Sequence, residues 1–516
     1  MSDEKIIGID LGTTRTAVAE ILGGDPEIVD NAEGSDLTPS VVRIEEDDKA
    51  VVGKPALNGA AQYPNRTVRE IKRKMGTNDT VSIDGEEYLP EQVSALILQK
   101  VVSDAEDRVG ANISDAVITV PAYFGENERS ATKSAGDIAN LNVKRLLPEP
   151  SAACLAYGFR KEKLGEGGEE LVFVYDLGGG TFDASLVEID YDINYFETKH
   201  TNGINDLGGK DWTDSIMDWM LERVEEETGD DPSDDPETVG RIRDAAIEAK
   251  HTLSSKDSAR INIPFLLEGY SYEDELSREM FNEITSDLVE KTLEPIDDLF
   301  ERADVGVDDV DTVLTIGGSS RMSQVEDFVV DYFDQQPSKE VNPDKAVAIG
   351  AAIQANILSD EGGVNEDSEQ TTGVAETTVT HVVSKPLGIE LHDGSMSFII
   401  ETDEVIPVRK KKETFRTVRD DQTMVNFPVL EGEADLADEN DKIGDVKLGK
   451  NDPIPPRSPD EPSLAVEFIY DKDGTLEVEA EDLISGRNVD ALFEGVGSHS
   501  KPKIDDLQQN LPGIKE

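Results

Sequence analysis

Cysteine and histidine are scarce in this sequence. Its 516 residues include one cysteine and five histidines. The lone cysteine, Cys154 in the apolar stretch SAACLAYG, excludes a disulfide framework and fits a reducing compartment. We expect it to be a small core residue. The histidines lack the spacing of metal ligands, so the sequence does not support a zinc site.

Long apolar runs and basic residues are also few. No apolar run of about 18 residues occurs, and no charged segment followed by an apolar one opens the sequence. We therefore expect neither secretion nor a membrane span, and we predict a cytoplasmic location. Lys and Arg together number 49, and nothing resembles a basic face. This excludes a nucleic-acid partner from the expected functions.

Acidic residues, in contrast, are abundant. Asp and Glu number 111, which gives a formal net charge of −62, and they are spread along the whole chain. Self-repulsion of this size opposes compaction in dilute buffer. Concentrated salt shortens the screening length to about 3 Å and removes most of that cost. We interpret the composition as halophilic, with a surface suited to a salt-rich cytoplasm.

The length allows about three domains or lobes. Over residues 1–358, apolar runs such as KIIGID, AVITVPA, LVFVYD and DTVLTIGG alternate with segments of helical spacing, which predicts an α/β fold. Residues 359–379 have the composition of an acidic flexible linker. Short alternating runs predict a small all-β domain over 380–497, with a hairpin at DKDG, 471–474. The Pro-broken tail, 498–516, is predicted to be disordered.

Two segments share one pattern: an apolar run, an aspartate, a Gly-containing turn and a second apolar run. They are IIGIDLGTTRTAVAEI, with Asp10, and VYDLGGGTFDASLVEI, with Asp176 and Asp183. Such turns let backbone N–H groups approach a phosphate. The aspartates would repel a phosphate unless a divalent cation lies between them, and Mg²⁺ bridges carboxylates to nucleotide phosphates. The repeat therefore predicts two half-sites for one Mg²⁺-nucleotide complex.

A third segment, LTIGGSSRMSQVEDF, predicts a strand, Gly317 and Gly318, an N-cap at Ser319 or Ser320, and a helix. A helix start of this kind suits a nucleoside or its phosphates. For each segment taken alone, the alternative is a plain Gly-rich turn without a ligand. Rival phosphate motifs are absent, since neither GxxxxGK[ST] nor a GxGxxG after a strand occurs.

These three segments, in this order and spacing, resemble the nucleotide site of the actin, sugar-kinase and heat-shock ATPase superfamily. AVITVPAYF, KRLLPEPSAACLAYG, NDLGGKDW, KHTLSS, VNPDKAVAIGAA and KPLGIEL narrow the resemblance to the DnaK-type 70-kDa heat-shock chaperones. The resemblance covers about residues 5–497. It implies a two-lobed actin-like ATPase domain that binds ATP or ADP with Mg²⁺, followed by a small β-sandwich that holds extended apolar peptides of unfolded proteins. It also implies protein folding under stress, with a J-domain protein and a nucleotide exchange factor as co-chaperones.

The resemblance implies roles for individual residues through the matching motifs. Asp10, Asp176 and Asp183 would surround Mg²⁺, its waters and an accompanying K⁺. The other implied catalytic residues are Thr181 near the γ-phosphate, Lys72 at the γ-phosphate and attacking water, and Glu149 on the water and metal side. The implied phosphate and adenosine contacts are Gly12, Thr13, Thr14, Gly178, Gly179, Gly180, Gly208, Gly209, Lys250, Ser254, Gly317, Gly318, Ser319, Arg321 and Asp344. Pro121 and Arg129 would relay the nucleotide state to the β domain.

The sequence departs from the family pattern at several places. The family's ribose-contacting glutamate is replaced by Ile247, and its helical lid is missing after the β domain. In the peptide cleft, the apolar walls match Ile389, Phe415, Val425 and Phe427, while His392 replaces an apolar arch residue opposite Val418. The segment ETTVTHVV, 376–383, is more polar than the family's apolar linker. Because burial of apolar side chains drives docking, we expect weak linker docking and little stimulation of the ATPase by peptide.

The favoured function is an ATP-hydrolysing chaperone that binds unfolded polypeptides under nucleotide control. Phosphoryl transfer to water needs mainly positioning and charge neutralisation, which these residues supply. One alternative is a nucleotide-gated protein-binding scaffold with little or no turnover. A second is a sugar kinase of the same superfamily, which would need a catalytic base in a sugar pocket and no β-sandwich, so the C-terminal half argues against it.

The charge of −62 leads to a first prediction. Both the melting temperature and the ATPase activity should rise between dilute buffer and molar KCl, because screening relieves the repulsion between carboxylates. Thermal unfolding and an ATPase assay over a series of KCl concentrations measure this. A melting temperature that does not change across the series would contradict the halophilic interpretation.

Overall fold

The structure is a computed structural model that describes residues 5–165, 167–361, 377–450, 452–459, 463–472, 475–491 and 499–515. None of the helices in these ranges is long and apolar enough to cross a membrane.

The first lobe is built on a sheet in the order β11-β10-β1-β2-β3. Strands β1, β10 and β11 are parallel, and β1, β2 and β3 are antiparallel. The apolar runs KIIGID and AVITVPA form its central strands β1 and β10, which are largely buried on both faces. The elements of this lobe are β1 (Lys5–Leu11), β2 (Arg15–Leu22), β3 (Asp25–Ile28), β4 (Thr38–Pro39), β5 (Val41–Ile44), β6 (Lys49–Val52), α1 (Lys54–Asn58), β7 (Thr67–Arg69), β8 (Val81–Ile83), β9 (Glu86–Tyr88), α2 (Pro90–Val109), β10 (Ile113–Val120), α3 (Glu126–Ile138) and β11 (Asn142–Pro148).

The second lobe repeats this plan around the strands β17-β12-β13-β14. Strand β12 pairs with β17 in parallel and with β13 antiparallel. Cys154 lies fully buried between the lobes, as expected. The elements are α4 (Glu149–Leu164), β12 (Glu169–Leu177), β13 (Phe182–Asp190), β14 (Tyr195–Ile204), α5 (Gly209–Thr228), α6 (Pro236–Leu253), β15 (Ser258–Leu267), β16 (Tyr270–Ser277), α7 (Arg278–Ile284), α8 (Ser286–Glu290), α9 (Leu293–Ala303), β17 (Thr312–Ile316), α10 (Ser323–Phe333) and α11 (Ala346–Glu361).

The two lobes meet where helices α4 and α11 cross. Gly350 lies so close to Ala152 that a Cβ there would overlap the Ala152 carbonyl group. Gly8 in β1 likewise leaves space for the backbone of Ala352. Small residues at the crossing bring α11 directly against the first sheet, and this contact positions the two lobes on either side of one cleft.

The third part of the chain is a β-sandwich. Its sheets have the orders β20-β19-β23-β24 and β22-β25-β26-β27, and they enclose one apolar core. The predicted fold class, an actin-like α/β ATPase domain followed by a small all-β sandwich, is confirmed. The remaining elements are β18 (Thr378–Val382), β19 (Leu387–Glu390), β20 (Met396–Ile400), β21 (Val405–Ile406), β22 (Val408–Phe415), β23 (Val425–Glu431), β24 (Asp441–Leu448), β25 (Leu464–Tyr470), β26 (Leu476–Asp482), β27 (Arg487–Ala491), α12 (Lys501–Gln509) and β28 (Gly513–Ile514).

The predicted hairpin at DKDG joins β25 to β26. Tyr470 pairs with Leu476 across it, and the backbone N–H of Asp471 donates to the carbonyl oxygen of Thr475 at 3.0 Å. Asp473 and Gly474 lie outside the described residues. The domain bounds drawn from the sequence remain predictions, apart from the two corrections that follow.

The predicted linker, 359–379, needs correction at both ends. Helix α11 continues to Glu361, while 362–376 lie outside the described residues. Strand β18 then pairs in parallel with β14 of the second lobe and antiparallel with β21 of the β-sandwich. The segment is docked in the structure, while the expected weakness of this docking and the small stimulation by peptide stay predictions. Ladder hydrogen bonds come from the backbone, and β-branched Thr and Val residues suit a strand, so polar threonines do not prevent the pairing.

The predicted disorder of the tail, 498–516, is wrong for residues 499–515. Helix α12 packs on the first lobe through Ile504 and Leu507, which lie one turn apart and are buried. Strand β28 then pairs in parallel with β6. Pro502 lies in the first turn of α12, where a helix tolerates proline because the missing N–H has no intrahelical partner. The proline thus begins the helix rather than breaking it.

The docked tail leads to a second prediction. Leu507→Asp should release residues 501–515 from the first lobe, because it buries an unpaired carboxylate. Hydrogen exchange at Gly513 and Ile514 should become at least about tenfold faster. Gln509→Asp is the control, since it changes the charge equally at an exposed position of the same helix. Equal protection in the two variants would contradict this packing.

Candidate functional site

The two glycine turns predicted as half-sites face each other across the cleft. A Cβ on Gly179 would lie 2.5 Å from Cγ2 of Thr14, and one on Gly180 would lie 2.7 Å from Cγ2 of Thr13. No larger residue fits at either glycine without moving the opposite turn. The structure therefore brings together the residues that the sequence analysis assigned to phosphate contacts, with Gly12 at the start of the first turn.

Gly209 and Ser319 of the second lobe contact the glycine turn 178–180. The backbone N–H of Gly209, at the start of α5, donates to the carbonyl oxygen of Gly178 at 3.0 Å. The Ser319 hydroxyl donates to the same oxygen at 2.7 Å. Lys250 donates to the carbonyl oxygen of Gly209, and burial lowers the pKa of Lys250 to about 8. Gly208 packs against this turn with no space for a Cβ.

Two of the residues assigned to nucleotide contacts, Arg321 and Asp344, form an ion pair. Arg321 donates through Nη2 to Asp344 Oδ2 at 2.7 Å, and Gly318 lies beside the same carboxylate. Ser254 bonds to the carbonyl oxygen of Lys250 at 3.2 Å, so it ends α6 rather than pointing freely into the cleft.

The predicted N-cap at Ser319 or Ser320 is wrong. Both serines lie in a 3₁₀ turn over residues 318–321, and α10 begins at Ser323 after Met322. The Ser320 hydroxyl donates to the carbonyl oxygen of Gly317, whose φ of +78° starts this turn. A local side-chain to backbone bond therefore competes with the helix and delays its start.

Three aspartates lie around the centre of the cleft. Asp176 and Asp183 are opposite each other in the β12–β13 ladder and almost fully buried. The Oδ2 atoms of both have no hydrogen-bond partner among the described residues. Burial, followed by repulsion from Glu149, raises the pKa of Asp10 and of Asp183 to about 7. The same two causes raise the pKa of Asp176 well above its usual value.

This arrangement fits a divalent cation. Buried carboxylates that repel each other and lack donors are stabilised when a cation lies between them. Within the described ranges, no three acidic, His or Cys side chains converge as a direct metal cluster. Mg²⁺ keeps several of its waters in such sites. The carboxylates would therefore hold it indirectly, through those waters and the nucleotide phosphates.

A lysine and a glutamate face each other beside the aspartates. Lys72 Nζ lies 2.7 Å from Glu149 Oε1, and both side chains are buried. Lys72 comes from the first lobe, in the 3₁₀ turn Ile71–Lys74, while Glu149 is the first residue of α4. Their distance in sequence hides this pairing. A buried ion pair is a poor source of stability but is typical of a functional site.

Arg73 is a site residue that the sequence analysis missed. Its Nε donates to the carbonyl oxygen of Gly180 at 3.1 Å, and its Nη1 donates to Asp211 Oδ1 at 3.2 Å. It therefore connects the first lobe to the glycine turn of the second. The only signal in the sequence was its place next to Lys72 in the basic run IKRK.

The residues assigned to an interdomain relay hold one turn together. Arg129 Nε donates to the carbonyl oxygen of Phe124 at 2.9 Å, and the Phe124 N–H donates to that of Pro121 at 3.3 Å. The backbone N–H of Tyr123, in this turn, donates to Asp183 Oδ1 at 2.8 Å. At its far end, the turn contacts the β-sandwich.

That contact joins the backbone of Glu126 to the side chain of Glu431. The backbone N–H of Glu126 donates to Glu431 Oε2 of the β-sandwich at 2.9 Å. Burial raises the pKa of Glu126 to about 8 and that of Glu431 to about 7. A second contact lies on the other lobe, where Asp403 accepts from Arg302 Nη1 at 2.9 Å. The β-sandwich thus touches both lobes of the ATPase domain.

The six residues assigned to a peptide cleft fall into two groups. Ile389, Phe415, Val425 and Phe427 belong to one buried apolar cluster, and the Phe415 and Phe427 rings are 5.9 Å apart. His392 and Val418 lie outside this cluster on exposed loops. Most of each apolar wall residue is therefore covered by the sandwich itself.

The fold and the cleft define the class of protein: a two-lobed, actin-like ATPase joined to a β-sandwich. The family model described as "Hsp70 protein" matches residues 6–84 and 78–515. The chain is 42% identical over 521 residues to "Chaperone protein DnaK" of Halobacterium salinarum, covering 100% of this chain and 79% of that protein. It is also 42% identical over 520 residues to the protein of the same name from Thermotoga petrophila, covering 99% and 84%.

The chain belongs to the Hsp70 family. It is accordingly an ATPase with the function of an ATP-dependent molecular chaperone.

The Lys72–Glu149 pair leads to a third prediction. Lys72→Ala should lower the rate of ATP hydrolysis by about 10²-fold or more, because it removes a positioned charge from the transferred phosphate. Nucleotide affinity, measured by equilibrium titration, should change much less. Lys74→Ala, an exposed lysine in the same 3₁₀ turn, is the matched control. Equal losses of binding and turnover would remove Lys72 from catalysis.

A histidine in the docked strand leads to a fourth prediction. His381 Nδ1 lies 3.1 Å from the Ser151 hydroxyl, and its Nε2 is buried without a hydrogen-bond partner among the described residues. Burial, with Arg145 and Arg129 nearby, lowers the pKa of His381 to about 3. When the strand is released, the pKa of His381 would be about 6.5. Its docking should therefore be strongest above pH 6.5 and weaken as the pH falls below it.

Hydrogen exchange of β18, compared at pH 7.5 and pH 5.5 after correction for intrinsic rates, measures this docking. His381→Gln cannot gain the proton, so the strand should show a smaller change with pH. The same change in both proteins would assign the effect to titratable groups other than His381.

Proposed function

We propose that the cleft hydrolyses Mg²⁺-bound ATP and that the β-sandwich binds extended apolar segments of unfolded polypeptides in response. One observation carries this proposal: two facing glycine turns lie beside the buried Asp176 and Asp183, each with one oxygen that has no hydrogen-bond partner among the described residues, and a buried Lys72–Glu149 pair lies next to them. Glycine turns suit phosphates, carboxylates suit a hydrated cation, and a lysine with a glutamate suits an attacking water.

Each group has a distinct part in this proposal. When bound, Mg²⁺ supplies positive charge that neutralises the phosphates. Asp10, Asp176 and Asp183 would hold the waters of that ion and an accompanying K⁺. Lys72 stabilises charge that develops on the γ-phosphate, and Glu149 orients the attacking water. The facing N–H groups and threonine hydroxyls position the phosphates in line with this water.

Domain coupling follows a continuous set of contacts in this proposal. A change at Asp183 reaches the turn around Pro121 through the Tyr123 N–H, and Arg129 keeps that turn rigid. The turn ends at Glu126, which contacts Glu431 of the β-sandwich. Strand β18 provides a second connection, because it pairs with both domains at once. These two routes support nucleotide control of peptide binding.

The working environment is also part of the proposal. The charge of −62 supports a halophilic, cytoplasmic protein that acts in protein folding and the stress response. A J-domain protein and a nucleotide exchange factor are its proposed co-chaperones.

A scaffold with little turnover is the competing function, and a single-turnover ATPase assay separates the two. Preformed protein–ATP complex should hydrolyse its nucleotide, and an unfolded polypeptide should stimulate that rate only slightly, as the polar segment 376–383 predicts. A rate no faster than that of Lys72→Ala, with or without polypeptide, would favour the scaffold.

The cation assignment leads to a fifth prediction. Asp10→Asn and Asp176→Asn should lower ATPase activity and increase the Mg²⁺ concentration needed for half-maximal activity, while the chain remains folded. Removing one of several carboxylates that repel each other relieves that repulsion, so thermal stability should be kept or increased. Activity at the wild-type rate with unchanged Mg²⁺ dependence would overturn the assignment.

A further inference from the structure

One segment of the β-sandwich is basic in an acidic chain. Residues 408–424 contain six Lys or Arg and three Asp or Glu, whereas the whole chain contains 49 and 111. The segment comprises β22 and the loop that follows it to β23. Because the chain is otherwise dominated by acid, a reversal of charge at this place calls for a partner.

The basic residues of β22 already have partners. They face carboxylates or carbonyl and hydroxyl oxygens of neighbouring strands and loops, in the pairs Arg409–Glu467 at 2.6 Å, Lys410–Glu404 at 2.8 Å, Lys411–Glu481 at 2.7 Å and Lys412–Ser397 at 2.9 Å. These contacts use the charge of the strand within the domain. The positive charge of the segment that has no partner within the described part of the domain therefore lies in the loop between β22 and β23.

The loop between β22 and β23 presents cations next to apolar side chains. Arg416 and Arg419 are exposed, and within the described part of the chain their guanidinium groups make no hydrogen bond or ion pair. Thr417 is buried, so the alternation of an extended chain puts Arg416 and Val418 on the outward side. Val418 is 49% exposed, and Met424 at the end of the loop is 50% exposed.

The loop between β19 and β20 lies at the same end of the sandwich. The antiparallel pairing of Ile389 with Val429 brings the end of β19 next to the start of β23. His392 is exposed on this loop, and the Asp393 carboxylate accepts from the Ser395 hydroxyl at 2.6 Å and from its N–H at 3.2 Å. The Asp393 carboxylate is therefore already hydrogen-bonded within its own loop.

Two aspartates of the basic segment lie in the half of the loop that is anchored through its backbone. Asp420 and Asp421 follow Arg419, and the N–H of Asp421 donates to the carbonyl oxygen of Arg457 at 3.2 Å. The Ile454 N–H donates to the carbonyl oxygen of Thr423 at 3.0 Å. This half of the loop is tied to the segment before β25, while Arg416 and Val418 lie on the other half.

We propose that the peptide site of the β-sandwich selects apolar segments flanked by Asp or Glu, with Arg416 and Arg419 binding the flanking carboxylates. This inference rests on the proposed function, because it names the substrate class of the same site. Guanidinium groups pair with carboxylates in a two-pronged geometry that an ammonium group does not match. An unfolded chain with the composition of this one presents an acidic residue roughly every five positions, so carboxylates flank its apolar segments.

Fluorescent peptides with one apolar core test this selection. Three peptides carry two Glu, two Gln or two Lys residues at each end, and fluorescence anisotropy measures their affinity for the full chain at the lowest KCl concentration that keeps it folded. The Glu-flanked peptide should bind about tenfold more tightly than the Lys-flanked one, since each exposed ion pair contributes about two- to fivefold. The ratio should shrink as KCl increases.

Variants locate the effect. Arg416→Gln with Arg419→Gln should abolish the preference, and Arg416→Glu with Arg419→Glu should reverse it. Arg409→Gln with Lys411→Gln is the matched control, because it removes two charges from the adjoining strand that are already paired. That control should keep the preference.

The outcomes separate the inference from the function on which it rests. Equal affinity for the three peptides, tighter binding of the Lys-flanked peptide, or the same loss in the control variant would overturn the selection of acidic flanks and leave peptide binding intact. Binding of none of the three peptides would overturn both.

Discussion

The contact between the two glycine turns is the constraint on which the rest of the cleft depends. Gly179 and Gly180 meet Thr14 and Thr13 at distances that no Cβ allows. Because these turns belong to different lobes, their contact sets how far the lobes close. The crossing of α4 and α11 is a second contact between the lobes, and it too is made at a glycine, Gly350. Glycines and threonines, rather than long side chains, therefore meet where the two turns face each other.

The same closure places carboxylates that repel each other at the centre of the cleft. It buries Asp176 and Asp183 opposite each other, and an oxygen of each has no hydrogen-bond partner in the part of the chain that the structure describes. Such an arrangement is unfavourable without a cation and favourable with one. The Tyr123 N–H connects this charged centre to a turn that ends on the β-sandwich, so a change in the charge of the centre has a short route to the other domain.

Backbone pairing joins the three parts of the chain. Strand β18 extends the sheet of the second lobe, and β21 of the sandwich continues it. Ladder hydrogen bonds are indifferent to most side chains, so polar residues in β18 modulate docking rather than decide it. The tail adds a further connection, since β28 completes a sheet of the first lobe after α12 has packed there.

The sequence by itself determined the two-lobed α/β fold, the sandwich, the hairpin before β26 and the pairing of the glycine turns. The α/β alternation, the mainly β C-terminal part, the hairpin and the glycine turns depend on local patterns in consecutive positions, namely runs of buried residues, turn residues and a repeated motif, whereas the two lobes and the sandwich were implied by the family resemblance. Only the tertiary structure decided that Lys72 meets Glu149, that Arg73 crosses to Gly180, that β18 docks despite its threonines and that the tail folds on the first lobe. Such contacts join residues far apart in the chain, and their strength comes from burial and backbone pairing that no local window of sequence contains.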